Sequence, residues 1–101
     1  MDKIFKALAN INRRKILTFL KDKEYSVNEL LSNFGIGQAT LSNHLAVLKK
    51  AKLVDCRVLG KQRIYRLNND ILVAFAENMR KFIGNIDEIK IQEIAIRPRR
   101  V

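Results

Sequence analysis

Apolar side chains recur through the first half of the chain at intervals of three and four, the spacing of one helix face. Ile4, Phe5 and Leu8 form one stripe of a short first helix. Asn10 carries the side chain of an N-cap, and Ile16, Leu17 and Leu20 follow at helical spacing, which predicts a second helix ending near Asp22. Ser26-Val27-Asn28-Glu29 spells a capping box: the Ser26 hydroxyl can accept from the Glu29 amide while the Glu29 carboxylate accepts from the Ser26 amide. A short third helix starts there and is predicted to close at Gly35, which tolerates the left-handed backbone of a helix C-terminus. Gly37 opens the next helix. From Gln38 to Ala51 the residues Leu41, Leu45 and Leu48 fall at i, i+4 and i+7, so the opposite face holds Ala39, Asn43, Ala46 and Lys50, flanked by Ser42 and Lys49.

The period changes at Leu53. Val54, Cys56 and Val58 alternate with Asp55 and Arg57, Gly60-Lys61 interrupts, and Ile64 alternates with Arg63 and Tyr65 as far as Leu67. That pattern is a hairpin with glycine first in a tight turn. Asn68 or Asn69 then caps a long last helix whose Ile71, Leu72, Phe75, Met79, Phe82, Ile83 and Ile86 make a continuous apolar stripe. Gly84 costs about 1 kcal/mol relative to alanine inside a helix, so fraying or an end is expected after it. Beyond Ile89 the residues Ile91, Ile94 and Ile96 alternate weakly, and Arg97-Pro98-Arg99-Arg100-Val101 receives no element. The expected organisation is one domain over residues 1–90 and a basic tail over 91–101, with element order α-α-α-α-β-β-α.

Charge narrows the class. The 101 residues contain 20 Lys and Arg against 10 Asp and Glu, for a net charge of +10 and a pI near 10.2, the footprint of a protein that meets nucleic acid or another anionic surface. From Leu30 to Asn69, Asp55 is the sole acid against Lys49, Lys50, Lys52, Arg57, Lys61, Arg63 and Arg66, more than this segment's share of the charge. Cys56 is the only cysteine, which excludes an internal disulfide and fits a reducing cytoplasm. No secretory leader is legible at the N-terminus, and the longest apolar run, Ile71 to Ala76, is far short of the roughly 20 residues that cross a bilayer. One histidine and no phosphate-cradling glycine pattern argue against an enzyme.

Two short helices joined through Gly35-Ile36-Gly37 and followed by a basic hairpin have the order of a winged helix-turn-helix, whose second helix enters the DNA major groove. A helix with side chains is about 10–12 Å across and the groove about 12 Å wide, so the outward face must be small. Ala39, Ser42 and Ala46 meet that requirement. Gln38 and Asn43 carry amides able to pair with an adenine edge, Thr40 and Ser42 serve bases or phosphates, and Lys49 is the one candidate for guanine. Lys49, Lys50, Lys61 and Arg63 are expected to position the DNA backbone, with Arg13-Arg14-Lys15 contributing more weakly. Phe75, Met79, Phe82, Ile83 and Ile86 exceed what a small helical core requires, and surplus apolar face points to a partner, most simply a second copy.

The runs Phe5-Lys6-Ala7-Leu8-Ala9-Asn10, Arg13-Arg14-Lys15-Ile16-Leu17, Ser26-Val27-Asn28-Glu29-Leu30, Gln38-Ala39-Thr40-Leu41-Ser42-Asn43-His44-Leu45 and Leu48 to Val54 resemble the ArsR/SmtB family of bacterial and archaeal repressors, over about residues 3 to 75. The resemblance implies a homodimer joined through its first and last helices, here Ile4, Phe5, Leu8, Phe75, Met79, Phe82 and Ile83. It also implies an inverted-repeat operator read by Gln38, Ala39, Thr40, Ser42 and Asn43, with Arg57 to Arg66 as the wing. Ile11 stands where the family often has proline, and Gly37 where it often has Ser or Thr. A glycine cap costs only a few tenths of a kcal/mol. The nearest branch is that of small autorepressors without a ligand domain.

Metal-sensing relatives carry Cys-x-Cys at the start of the third helix or Asp/His pairs on the last. The third helix here begins Tyr25-Ser26-Val27-Asn28-Glu29 and the last has no histidine, so no metal and no cofactor are expected. His44 reads as a packed or partly exposed imidazole, or as a phosphate contact. The reading is a DNA-binding repressor; the alternatives are a winged-helix protein-interaction module and a regulator switched by the Cys56 thiol or a small molecule.

Overall fold

The computed structural model describes residues 1–83, in the order α1 (Asp2–Leu8), α2 (Ile11–Leu20), β1 (Tyr25–Ser26), α3 (Val27–Asn33), α4 (Gln38–Lys50), β2 (Val54–Leu59), β3 (Gln62–Leu67) and α5 (Asn69–Ile83). The expectations for Gly84, Ile86, the weak alternation after Ile89 and the tail 91–101 lie outside the described residues.

Local chemistry sets the helix starts. Asn10 accepts hydrogen bonds from the amides of Asn12 at 2.8 Å and Arg13 at 3.2 Å, satisfying two of the donors that open α2. The capping box of α3 is formed both ways, with the Ser26 amide donating to Glu29 Oε1 at 2.8 Å and the Glu29 amide to Ser26 Oγ at 3.1 Å. Gly37 precedes α4 without a side-chain cap, and Asn68 Oδ1 accepts from the Ile71 amide at 3.3 Å to start α5.

The helix ends differ from expectation at one point. Gly35 is not left-handed: α3 stops because Phe34 turns extended at φ −122°, ψ 144°, which lets its ring pack edge-on against Phe19 at 5.4 Å. The left-handed helix terminus lies instead after α4, at Lys52 with φ 65°. There the Leu53 amide donates to the Leu48 carbonyl at 3.0 Å and the Lys52 amide to the Lys49 carbonyl at 2.9 Å, the two bonds of a Schellman motif, with buried Leu53 against buried Leu48.

Gly60 has φ +62° and its neighbour Lys61 does not, and Leu59 pairs with Gln62, so the wing closes on a two-residue turn of the type II′ pattern. The sheet has three strands rather than two: β1 pairs with β3, Tyr25 opposite Tyr65 and Ser26 opposite Ile64, giving the order β1-β3-β2. Two residues are too short to show a period of two, which hid β1 from the pattern. Every helix but α5 contributes fully covered side chains to one core, from Ala7 and Ile16 through Leu30 to Leu41, Leu45 and Leu48, and Leu53, Val54 and Tyr65 join it from the wing side. Phe5 meets Phe75 edge-on at 5.5 Å, tying α1 to α5.

Arg13 works inside the fold. Its Nε donates to the Ala7 carbonyl at 2.7 Å and its Nη2 to the Lys6 carbonyl at 3.0 Å, while Nη1 reaches His44 Nδ1 at 3.3 Å. Arg14 Nη1 donates to the Leu8 carbonyl at 2.7 Å. The two guanidiniums expected at DNA phosphates are thus engaged on the last carbonyls of α1, where positive charge also complements the helix dipole. Arginine has only donors, so His44 Nδ1 is the acceptor and the imidazole is neutral with its proton on Nε2. Burial first, and the Arg13 charge second, hold the His44 pKa below its ordinary value of 6.5.

Two outcomes follow from these contacts. Lys52→Gly is expected to raise stability by about 0.5–1 kcal/mol in urea melts, because relief of a non-glycine left-handed backbone outweighs the extra unfolded-state entropy; a loss of stability would contradict the strain. For His44, a folded pKa below the unfolded one means that its neutral form favours the fold above pH 6.5 and loses that advantage as pH falls below it. The melting temperature of the wild type should therefore drop faster than that of His44→Gln between pH 7.5 and 5.5, whereas parallel curves would contradict the pairing.

Candidate nucleic-acid interface

The candidate surface is built by what α4 hides. Leu41, Leu45 and Leu48 are at most 1% exposed, and their burial leaves Gln38, Ala39, Thr40, Ser42, Asn43, Ala46, Lys49 and Lys50 all exposed on the opposite side. Thirteen residues at 1.5 Å rise make a rod about 20 Å long whose outward atoms are short amides, hydroxyls and methyls, with two lysines in its last turn. No arginine lies on it.

Between α4 and the wing runs an open groove of about 530 Å³. Gln38, Ser42, Ala46 and Lys49 line it from α4, Lys61, Gln62, Arg63 and Tyr65 from the wing, and Ser26, Val27 and Asn28 from the start of α3. Of the residues singled out by sequence, the fold gathers Gln38, Ser42, Lys49, Lys61 and Arg63 into this groove. Ala39, Thr40, Asn43 and Lys50 are exposed on α4 but outside the lining. Asn28 and Gln62 were missed as groove residues. Asn28 was absorbed into the capping box, and Gln62 had no marking beyond its place in the hairpin.

Charge is distributed unequally along the wing. Arg57 pairs with Glu24 at 2.7 Å and Arg66 with Asp55 at 3.8 Å, both exposed pairs. Among the described residues, Lys49, Lys50, Lys61 and Arg63 have no carboxylate within salt-bridge distance, and no acidic side chain lines the groove. Their field is left for an anion from outside. Tyr65, at the floor, is held above the usual phenol pKa by burial first and then by Cys56 beside it, so its hydroxyl stays protonated. His44 lies outside the groove, turned to Arg13.

A second surface is apolar. Phe5 and Ile83 are exposed, Leu8, Phe75 and Met79 half-buried, and Ile4 is 9% exposed, so Ile4 has little area left to offer a partner. The side chain of Phe82 is outside the described set. Met1, Phe5, Asn78 and Met79 line a shallow depression of about 250 Å³ on this face.

Metal does not fit. Among the described residues no group of three or more His, Cys, Asp or Glu stands close enough to hold an ion. Cys56 is a half-buried free thiol whose nearest polar partner is the Arg57 carbonyl at 4.0 Å. No described helix is long and apolar enough to cross a membrane.

Comparison with known proteins agrees with this geometry. The family described as "Bacterial regulatory protein, arsR family" matches residues 10–55, from the cap of α2 into β2. The chain is 32% identical over 87 residues to the transcriptional repressor SdpR of Bacillus subtilis, covering 86% of this chain and 97% of that one. It is 34% identical to the arsenical resistance operon repressor of Staphylococcus xylosus, covering 75% and 73%. Among solved structures, HlyU from Vibrio cholerae superposes with a TM-score of 0.67 at 36% identity, covering 79% and 87%. A possible transcriptional regulator for arsenical resistance superposes at 0.75 and 30% identity, covering 91% and 96%. These proteins are regulators of transcription rather than enzymes, and this chain, with the same winged helix-turn-helix, belongs to the ArsR family of bacterial regulatory proteins.

Proposed function

We propose that the protein is a cytoplasmic transcriptional repressor that binds an inverted-repeat operator as a homodimer and acts by occluding a promoter, its own or a neighbouring one. The observation that carries this reading is the pairing of an uncluttered polar face on α4 with unpartnered cations on both sides of the adjoining groove. Gln38, Ala39, Thr40, Ser42 and Asn43 face base edges in the major groove, where Asn43 and Gln38 supply bidentate amides. Lys49, Lys50, Lys61 and Arg63 hold phosphates and set register. Relatives named as repressors support the direction of control, while a relative in Vibrio cholerae is named a transcriptional activator, so the sign follows from where the operator lies.

The dimer uses α1 and α5. Their shared face of Phe5, Leu8, Phe75, Met79 and Ile83 is apolar, and a twofold axis through it sets two copies of α4 about one duplex turn, roughly 34 Å, apart. With no ion-binding cluster among the described residues, repression needs no metal.

Fragments selected from random duplex DNA supply the operator for the test. Asn43→Ala is expected to lose about 1–3 kcal/mol of discrimination at one base pair, whereas Lys61→Ala weakens all duplexes alike and reduces the slope of log K against log salt by about one. Equal losses on selected and random DNA for both variants would contradict the assignment. Ile83→Glu should shift the protein toward monomer in sedimentation and weaken binding to the full repeat far more than to a half-site. A wild type that sediments as a monomer while holding the full repeat would contradict the dimer.

A further inference from the structure

The tip of the wing is apolar. Val54 is buried at the root of β2, Asp55 and Cys56 are half-covered, and the strand then runs on past the core to Val58 and Leu59, which are 70% and 58% exposed. Leu59, five residues beyond Val54, is carried about 16 Å outward at 3.3 Å per residue. Two branched aliphatic side chains at the end of a projecting hairpin contribute nothing to the core.

Their neighbours suggest what they meet. Val58 pairs with Arg63 and Leu59 with Gln62, and the turn adds Lys61, so unpaired cations surround the two apolar side chains. Cross-strand pairs share a side of the sheet, and Cys56 pairs with Tyr65, so Val58 and Arg63 extend the face that lines the groove beside α4. The tip therefore continues the cationic surface that holds DNA backbone. When α4 lies in a major groove, a projection of this length reaches the neighbouring minor groove. That groove is about 6 Å wide, while two paired strands already stand about 4.8 Å apart before side chains are added. The hairpin backbone cannot enter; side chains from its tip can.

Resting on the DNA-binding reading above, we infer that Val58 and Leu59 form an apolar wedge that the wing presses into the minor groove beside each half-site, opening a base step while Lys61 and Arg63 hold the flanking phosphates. Apolar side chains inserted at a step unstack it at least cost where the step is a flexible pyrimidine–purine one. The wing then reads deformability, a preference for TA or CA steps at the flank that adds to the base readout of α4. The two apolar side chains are the reason a tip otherwise suited to pure phosphate contact distinguishes one flank from another.

The test uses the full chain and a selected operator carrying 2-aminopurine at successive flank positions, with the double variant Val58→Ser, Leu59→Ser. Both residues are exposed, so the variant should fold with unchanged far-UV dichroism. The wild type is expected to brighten the reporter at one flank step and to prefer a TA flank to an A-tract flank by about tenfold. The serine pair should lose both effects while keeping the salt slope and the mismatch penalties within the half-site. Binding of the wild type without brightening at any flank position overturns the wedge and leaves the repressor reading standing. A serine pair indistinguishable from wild type on every flank assigns the tip to a protein partner or a second copy and likewise overturns it. Absence of any DNA selected over polyanion competitor removes the repressor reading itself, and the wedge with it.

Discussion

The rotation of α4 about its own axis is the constraint from which the rest of the molecule takes its function. Successive residues of a helix are set about 100° apart, so a face can be presented outward only if the opposite face is held inward. Leu41, Leu45 and Leu48 do the holding, each at most 1% exposed. At about 1.5–3 kcal/mol for each fully buried leucine, turning the helix enough to hide Asn43 forfeits several kcal/mol, comparable to the whole margin of stability of a small domain. The polar face is therefore a consequence of the apolar one.

Both ends of α4 are tied as well. Near its middle, His44 takes the last free donor group of an Arg13 guanidinium already spent on the Ala7 and Lys6 carbonyls, which joins α1, α2 and α4 through one side chain. At its C-terminus the Schellman bonds from Leu53 and Lys52 turn the chain directly into β2. Only Ala51, Lys52 and Leu53 separate α4 from the wing, and two of these three are core residues. That short, buried joint is why the wing stands at a defined distance from α4, and why Lys49 on one side of the groove can act together with Lys61 and Arg63 on the other.

What the sequence made legible follows the length of each signal. The leucine stripe of α4, the Asn10 cap, the Ser26/Glu29 box and the glycine turn at Gly60 all repeat or cooperate over several residues, and the structure bears each of them out. Three features carried no such signal. A two-residue strand has no period, so Tyr25–Ser26 was visible only as a helix cap. The left-handed position fell at Lys52 rather than Gly35, because the Schellman bonds and the burial of Leu53 against Leu48 override the ordinary preference for glycine. Arg13 and Arg14 looked like phosphate ligands because their charge is readable and their direction is not; the carbonyls they cap come from the end of the preceding helix. At the interface, residue types on α4 could be read directly, whereas the contribution of Asn28 and Gln62 depended on how three elements close around one groove.

The most direct test of an outward-facing α4 is a titration of isotope-labelled protein with a selected operator duplex, followed by the backbone amide and side-chain amide resonances. The account predicts the largest shifts at the Gln38 and Asn43 side chains and along residues 38–50 and 57–66, with α5 little changed. Shifts concentrated on α1 and α5 with α4 silent would contradict it.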